Sequence, residues 1–259
     1  MNIVLFTQEE LGKPLSATDR RTKHITSILR LGPGDRFRAG VIGGVPGTAT
    51  VGEIAPDGTL GFEFEADPRG DGAVVGLEPV QLLLGHPRPI VLKRMLREIS
   101  ALGIERVVVV RTELGEKSYF ESNLWTDGTV EQLLIEGAEQ AGSTMLPTIE
   151  RAWTVARGID RIVDGWTRAE RVVFDNAVEA PAAPAASPRP KSQTPGEKQR
   201  GGAPRRVIAV GAERGWTDGE RGVFAGEGFE KRYLSERVLR TETAAVVAVA
   251  LSLRELNRW

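Results

Sequence analysis

The sequence predicts an α/β protein in two parts. A small antiparallel β-barrel is expected over residues 1–76, and an α/β domain with a mostly parallel sheet over 77–259. Three observations predict this. Short alternating apolar runs separated by glycine-rich turns fill the first part. Apolar strand-like runs alternate with helical periodicity in the second, the pattern of a sheet covered on both faces. A stretch at 177–204, dominated by alanine, proline and small polar residues, has no apolar period and reads as a disordered insertion. It separates two strands of one predicted sheet, so it is not read as a domain boundary.

The elements follow in order. VIGGVPGTATVGEIAPDGTLGFEFEA reads as two or three short strands with GG, PG and PDG as turns. LGPGD (Leu31 to Asp35) follows a helical segment and is a turn. DPRGDG (Asp67 to Gly72) reads as a linker. PVQLLLGH is then a buried-strand run, and VLKRMLREISALG is helical with Gly103 as its stop. IERVVVVRT is a second strand, and TVEQLLIEGAEQAG and WTVARGIDRIVDGW are helices. RVVFDN, RRVIAVGAE and KRYL complete five strands. The last helix starts near Thr241 and runs to about Leu256.

Composition bounds the function. Of 259 residues, 41% are hydrophobic and 27% charged, a globular balance. No window approaches the ~20 apolar residues of a membrane span; the longest run, Ala244 to Leu251, gives way to Ser252 and Arg254. MNIVLFTQEE has no basic segment before an apolar core, so no secretion signal and a cytoplasmic location are expected. The chain has no cysteine, which excludes disulfides, thiolate nucleophiles and Cys-ligated metals. Its only histidines, His24 and His86, argue against a multi-His metal centre, so no metal is expected. Net charge is -1, yet Leu11 to Gly40 carries seven basic residues against two acidic ones. Such a patch suits phosphate, and it equally suits a solvated face.

Common ligand motifs are missing. There is no GxxxxGK[ST] loop, no GxGxxG turn after the first α/β strand, no GxSxG elbow and no HExxH. Two strand-end loops remain. In VIAVGAERGWTDGE, an apolar strand runs into Gly211, Ala212, Glu213 and Gly215, where glycines let backbone approach a ligand. Thr217 and Glu220 fit a capping box at the next helix. In YLSERVLRTETAAVVAVALSL, a charged loop separates two apolar runs. Thr241 can cap the following helix, and Glu242 suits its first turn. Capping leaves Arg237 and Arg240 unexplained.

At this point a resemblance enters. LSERVLRTETA (Leu234 to Ala244) resembles the LGxRILRxETA signature of the bacterial 16S ribosomal RNA uracil-N3 methyltransferases, of the SPOUT (trefoil-knot) class. HITSILRLGPGDRF is similar to that family's H-x-x-x-V-L-R-x-x-x-G-D, AEQAGSTMLP to A-x-E-Q-x-x-R-x-x-x-P, and GAERGWTDGE to GPEGGxxxxE. The similarity spans nearly the whole chain outside 177–204. It implies a PUA-like N-terminal β-barrel for RNA, followed by a C-terminal SPOUT α/β domain with a deep trefoil knot. It also implies S-adenosyl-L-methionine in the knot loops, 16S ribosomal RNA or the small subunit as partner, and a homodimer. The chain departs at Ala212 and Arg214 of the GPEGG segment, at Ser235, at Ser143, at Ala101, and in the segment Glu116, Lys117, Ser118.

The resemblance also implies roles. Cofactor contacts fall on Gly211, Ala212, Glu213 and Gly215, and on Leu234, Ser235, Arg237, Val238, Leu239 and Arg240, with Leu234, Val238 and Leu239 packing on the adenine. Arg240 would stabilise a developing uracil anion, and Glu242 or Glu213 would take its proton. Arg21, Lys23, His24, Arg30 and Lys117 are the candidate RNA contacts. A competing reading from another class is a SPOUT-fold RNA-binding protein with an altered target or no catalysis. Arg214 and Ser235 favour it.

Overall fold

The computed structural model of the chain describes residues 2–67, 76–176 and 204–259. The expected linker beyond Asp67 and the expected insertion before Pro204 lie outside the described residues. The chain forms two compact units. The first comprises Met1–Glu78, Pro89–Glu105 and Ser122–Thr148; the second comprises Pro79–Arg88, Arg106–Glu121 and Ile149–Trp259.

In the first unit, β1 (Val4–Phe6), β2 (Arg36–Val41), β3 (Pro46–Ile54) and β4 (Leu60–Ala66) form a sheet in that order. β2, β3 and β4 pair antiparallel as expected. β1, however, runs parallel to β2. The chain between them, from Thr7 to Asp35, includes the short helix α1 (Arg20–Lys23) and a wider turn at His24–Ile28, and is long enough for a crossover. The GG and PDG turns fall where expected, with Gly43 and Gly58 at positive φ. PG does not make a turn. Pro46 opens β3, and a Cβ on Gly47 would collide with Glu65 backbone, so glycine there admits the neighbouring strand. Phe6 stacks on Phe62 at 4.3 Å in a core with Ile25, Ala49, Val51 and Leu60.

The same unit contains α2 (Pro89–Leu102) and α4 (Thr129–Ala141), ended by Gly103 and Gly142, both at positive φ. The two helices pack together because Gly137 leaves room for the Arg97 carbonyl. Glu139, 1% exposed, fastens α4 to β1. Its backbone oxygen accepts the N–H of Asn2 and of Ile3, and its carboxylate accepts the Leu5 N–H at 3.1 Å and Arg20 at 2.8 Å.

The second unit is built on a six-stranded sheet of β5 (Glu78–Gly85), β6 (Ile104–Val110), β7 (Thr148–Ala152), β8 (Glu170–Phe174), β9 (Arg206–Val210) and β10 (Glu230–Arg232). Its order is β10-β8-β9-β5-β6-β7, and β10, β8, β9 and β5 pair parallel. The sequence reading had no counterpart to β7. Leu83, Val108, Val110, Val173, Val207 and Ala209 form one apolar cluster with Val155, Ile159 and Ile162 of α5 (Val155–Val163) and Phe224 of α6 (Asp218–Gly226). A four-residue helix, α3 (Lys117–Phe120), follows the β6 exit loop, and α7 (Thr241–Glu255) packs against β9. Among the described residues no helix is long and apolar enough to cross a membrane, and no group of His, Cys, Asp or Glu could hold a metal ion.

Candidate active site

The strand order places a site. From β5 the chain steps outward one way through β6 and β7, while β9 lies on β5's other side. In open α/β sheets, ligands bind beyond the carboxyl ends of the strands where the order reverses. A hollow of about 80 Å³ opens there, lined by His86 after β5, Thr112, Glu116 and Tyr119 after β6, and Glu213 and Arg214 after β9. It has room for a few waters and is smaller than a nucleoside requires.

Close backbone packing shapes this edge. A Cβ on Gly85 would lie 2.5 Å from the Ala212 nitrogen, and one on Gly211 would lie 3.1 Å from Gly215 Cα. Gly215 has φ +66°, and its N–H bonds the Ala212 carbonyl at 2.9 Å, so residues 212–215 close a tight turn. The expected capping box is present: Thr217 Oγ1 accepts the Glu220 N–H, and the Glu220 carboxylate accepts the Thr217 N–H. Glu220 does more than cap. At 3% exposure it also accepts the Glu113 N–H at 2.9 Å, and Thr217 Oγ1 donates to Glu113 at 2.6 Å. One buried carboxylate thus holds the exit loops of β6 and β9 together. Glu213 accepts the Arg88 N–H at 3.0 Å, joining the β5 exit to the same loop. Trp216, 2% exposed, packs edge-on to Phe224, and its Nε1–H has no partner among the described residues.

His86 was not singled out as a site residue, although a polar residue ending the first sheet strand was the available signal. Its Nδ1 lies 2.6 Å from the Pro87 carbonyl, which only accepts, so Nδ1 carries the proton. Burial holds its pKa below the ordinary histidine value, so the imidazole is neutral near pH 7.

The second loop is arranged differently from expectation. Thr241 does not cap α7. It is the first helical residue, 7% exposed, and Arg240 occupies the cap position without a side-chain cap. A threonine inside the first turn, with its hydroxyl buried, cannot reach forward to the N–H groups it would cap. Residues 234–240 do not line the hollow. Ser235 Oγ accepts the Arg237 N–H at 3.1 Å and so fixes the turn. Leu234 and Leu239 are partly covered, Val238 is 85% exposed, and Glu242 is half-buried. Elsewhere in this unit Arg171, Arg206, Arg221 and Arg232 are ion-paired. The guanidinium groups of Arg88, Arg214, Arg237 and Arg240 have no carboxylate partner among the described residues. Lys117 is exposed and pairs with Glu121 at 3.2 Å.

In the first unit, Lys23 and Arg30 are exposed and His24 is half-buried. Arg21 is committed inward. Its five N–H donors are spent on the Leu5 carbonyl, Glu10 and Asp19, and its guanidinium lies over the Phe6 ring. No donor is left for a phosphate.

Comparison with known proteins bears on this arrangement. The family model described as RNA methyltransferase domain matches residues 76–253. Ribosomal RNA small subunit methyltransferase E of Treponema pallidum is 38% identical over all of this chain and 93% of its own length. The chain belongs to this family. The corresponding methyltransferase E 1 of Borreliella burgdorferi is 29% identical over 99% of each chain. A crystal structure of ribosomal RNA small subunit methyltransferase E from Neisseria gonorrhoeae, bound to S-adenosyl methionine, superposes with a TM-score of 0.72 over 98% of both chains at 18% identity, so the fold is shared. The family expected from LSERVLRTETA is therefore the one found, and its family model covers both strand-end loops.

Proposed function

We propose that this chain transfers a methyl group from S-adenosyl-L-methionine to N3 of a uridine in 16S ribosomal RNA of the small subunit. The observation that carries the reading is the full-length relation to the Treponema pallidum enzyme. Residues 211–215, at a switch point of the sheet, support it.

The exit-loop backbone supports a cofactor site here. Gly85 and Gly211 carry no side chain where the β5 and β9 exits pass closest, and Gly215 turns at φ +66° with open space where a Cβ would stand, so the loop can offer backbone to the cofactor. The cofactor would be held by Gly211, Ala212, Glu213 and Gly215 and by Leu234, Ser235, Arg237, Val238, Leu239 and Arg240. Bound there, it supplies an electrophilic sulfonium methyl. The chain's own groups prepare the uracil. Arg240, whose guanidinium has no carboxylate partner among the described residues, donates to O2 or O4 as negative charge develops there. The imide proton passes to Glu213, which lines the hollow, or to Glu242 in the first turn of α7. Excluding water strengthens both interactions, and holding the two reactants in line removes much of the entropic barrier. The target base leaves its stack to enter.

The further features are part of the same reading: a PUA-like barrel over 1–76, a SPOUT domain over 77–259 with a trefoil knot, a homodimer, and cytoplasmic residence with the ribosome. The curled four-stranded sheet, β9 seated between β8 and β5, and the exposed apolar Val238 and Leu251 support them. Lys23, His24, Arg30 and Lys117 would contact RNA.

The test is incubation of the chain with S-adenosyl-L-methionine and small subunits lacking the modification, followed by mass mapping of the RNA. One new methyluridine is expected, lost in Arg240→Ala. Glu213→Gln and Glu242→Gln identify the proton acceptor by which one lowers kcat. Unmodified RNA despite cofactor binding would sink the assignment. The competing reading, RNA binding without transfer, is favoured by Arg214 at the hollow. It wins if the folded chain shows no heat of binding with S-adenosyl-L-methionine.

A further inference from the structure

Arg36, Phe37 and Arg38 alternate along β2. The two-residue period sends Phe37 into the core of the first unit and leaves both arginines exposed on the outer face. Beside them is a hollow of about 350 Å³, lined by His24, Leu29, Leu31, Arg36, Phe37 and Arg38. That volume falls within the roughly 300–1,000 Å³ of small-ligand pockets.

Three features bear on its occupant. The Nε2 of His24 is buried without a hydrogen-bond partner among the described residues, a state that native structures seldom leave unexplained. Ile28 and Leu29, just beyond His24, are 70% and 40% exposed, so apolar surface faces water there. Arg30 is held at φ +57°, a left-handed conformation rare for a residue with a Cβ, and such outliers point to function. The cations nearby are available. Arg30 and Arg38 have no carboxylate partner among the described residues, and Arg36 has only a 3.6 Å contact with the exposed Glu65.

An apolar wall and two exposed guanidinium groups one strand period apart match a nucleobase with its flanking phosphates. They match a fatty chain or a bare anion less well. We propose that this hollow seats one unpaired nucleotide of the substrate RNA, other than the methylated uridine. Its base would lie on Leu29 and Leu31 with the half-buried His24 ring lining the hollow beside it, and its phosphates on Arg36 and Arg38. The inference rests on the RNA reading above and adds a subsite to it.

The experiment reads binding, so it stands apart from methyl transfer. Single-stranded RNA oligonucleotides spanning the methylated site, each with one abasic residue, are titrated into the full chain by fluorescence anisotropy. The wild type should lose about ten-fold in affinity at one abasic position other than the target, the scale of one base contact. His24→Ala should weaken the intact RNA by a similar factor and be indifferent to that abasic position, with S-adenosyl-L-methionine affinity unchanged. Arg36→Gln with Arg38→Gln, both at exposed sites, should lower the slope of log K against log salt by about 1.4, two phosphates' worth. A flat abasic scan overturns the inference, as does His24→Ala remaining as sensitive as wild type. A change of oligomeric state in the arginine variant in place of a change in RNA affinity also overturns it. Abasic-sensitive binding without methyl transfer would retain the subsite and remove only the catalytic part of the proposed function.

Discussion

Replacing Glu220 tests the way the β6 and β9 exit loops are joined. Its carboxylate, 3% exposed, accepts the N–H groups of Thr217 and Glu113, each at 2.9 Å. Glu220→Ala strands both donors, and an unsatisfied buried N–H costs about 1–3 kcal/mol. The Thr217 hydroxyl still caps α6, since it bonds the Glu220 backbone and not its side chain. Removing one charge near the Glu113 carboxylate, which shares Thr217, offsets part of the loss. The net expectation is about 3 kcal/mol, a Tm fall of roughly 6–12 °C in a chain of this size. Glu220→Gln keeps one acceptor and should cost about half as much. Urea denaturation gives the stability. Calorimetry with S-adenosyl-L-methionine should show affinity falling about ten-fold in the alanine variant, because the 211–217 loop loses its anchor. An alanine variant within about 0.5 kcal/mol of wild type would refute the reasoning, and so would a Gln variant no better than Ala.

Three further perturbations follow from the geometry. Gly85→Ala puts a methyl 2.5 Å from the Ala212 nitrogen, so denaturation should report a loss of about 1–3 kcal/mol and calorimetry a weaker cofactor. Arg21→Met removes the partner that holds the Glu10 and Asp19 pKa values below their ordinary 4.5 and 3.8. At pH 7 the cost should be about 2 kcal/mol, below a fully buried pair because both carboxylates touch water. Depressed folded values make this contribution complete above the ordinary carboxylate range and lost as pH falls through it toward the folded values. Stability against pH should therefore slope less below pH 4.5 in Arg21→Met than in wild type; parallel curves would refute the assignment. Arg214→Gly should leave cofactor affinity within about three-fold and weaken RNA binding, because the lost group is an exposed cation with no carboxylate partner among the described residues.

Much of the second unit was legible because its strands are continuous apolar runs, and β5, β6, β8 and β9 lie within three residues of where those runs begin and end. β7 was not legible. TIERA buries only Ala152 fully, as an edge strand does, and two charged residues hide its period. The parallel pairing of β1 depends on a crossover whose length, and not its composition, permits it. At the site, glycine density exposed the 211–215 loop, because a tight turn is a local property. The walls of the hollow were hidden: His86, Thr112 and Tyr119 meet Glu213 only because the sheet order sets β9 beside β5. Arg21 illustrates the limit of charge counting. It stands in a basic stretch, yet acidic residues two and eleven positions before it consume its donors.

The departures from the family pattern look different once backbone is considered. GAERG replaces two residues of GPEGG, and a lost glycine in the proposed cofactor loop suggests a blocked turn. Only some glycines in such a loop are obligatory, however. Gly211 is required because Gly215 passes 3.1 Å from where its Cβ would be, and Gly215 because its φ is +66°. Both are retained. Arg214 is not among the residues at positive φ, and its side chain is exposed, so arginine enters there without backbone strain. Ser235 likewise stands where the family has glycine, and its hydroxyl holds the Arg237 N–H at 3.1 Å, substituting a side-chain bond for backbone freedom. The substitutions fall where the fold leaves a choice and spare the positions where it does not.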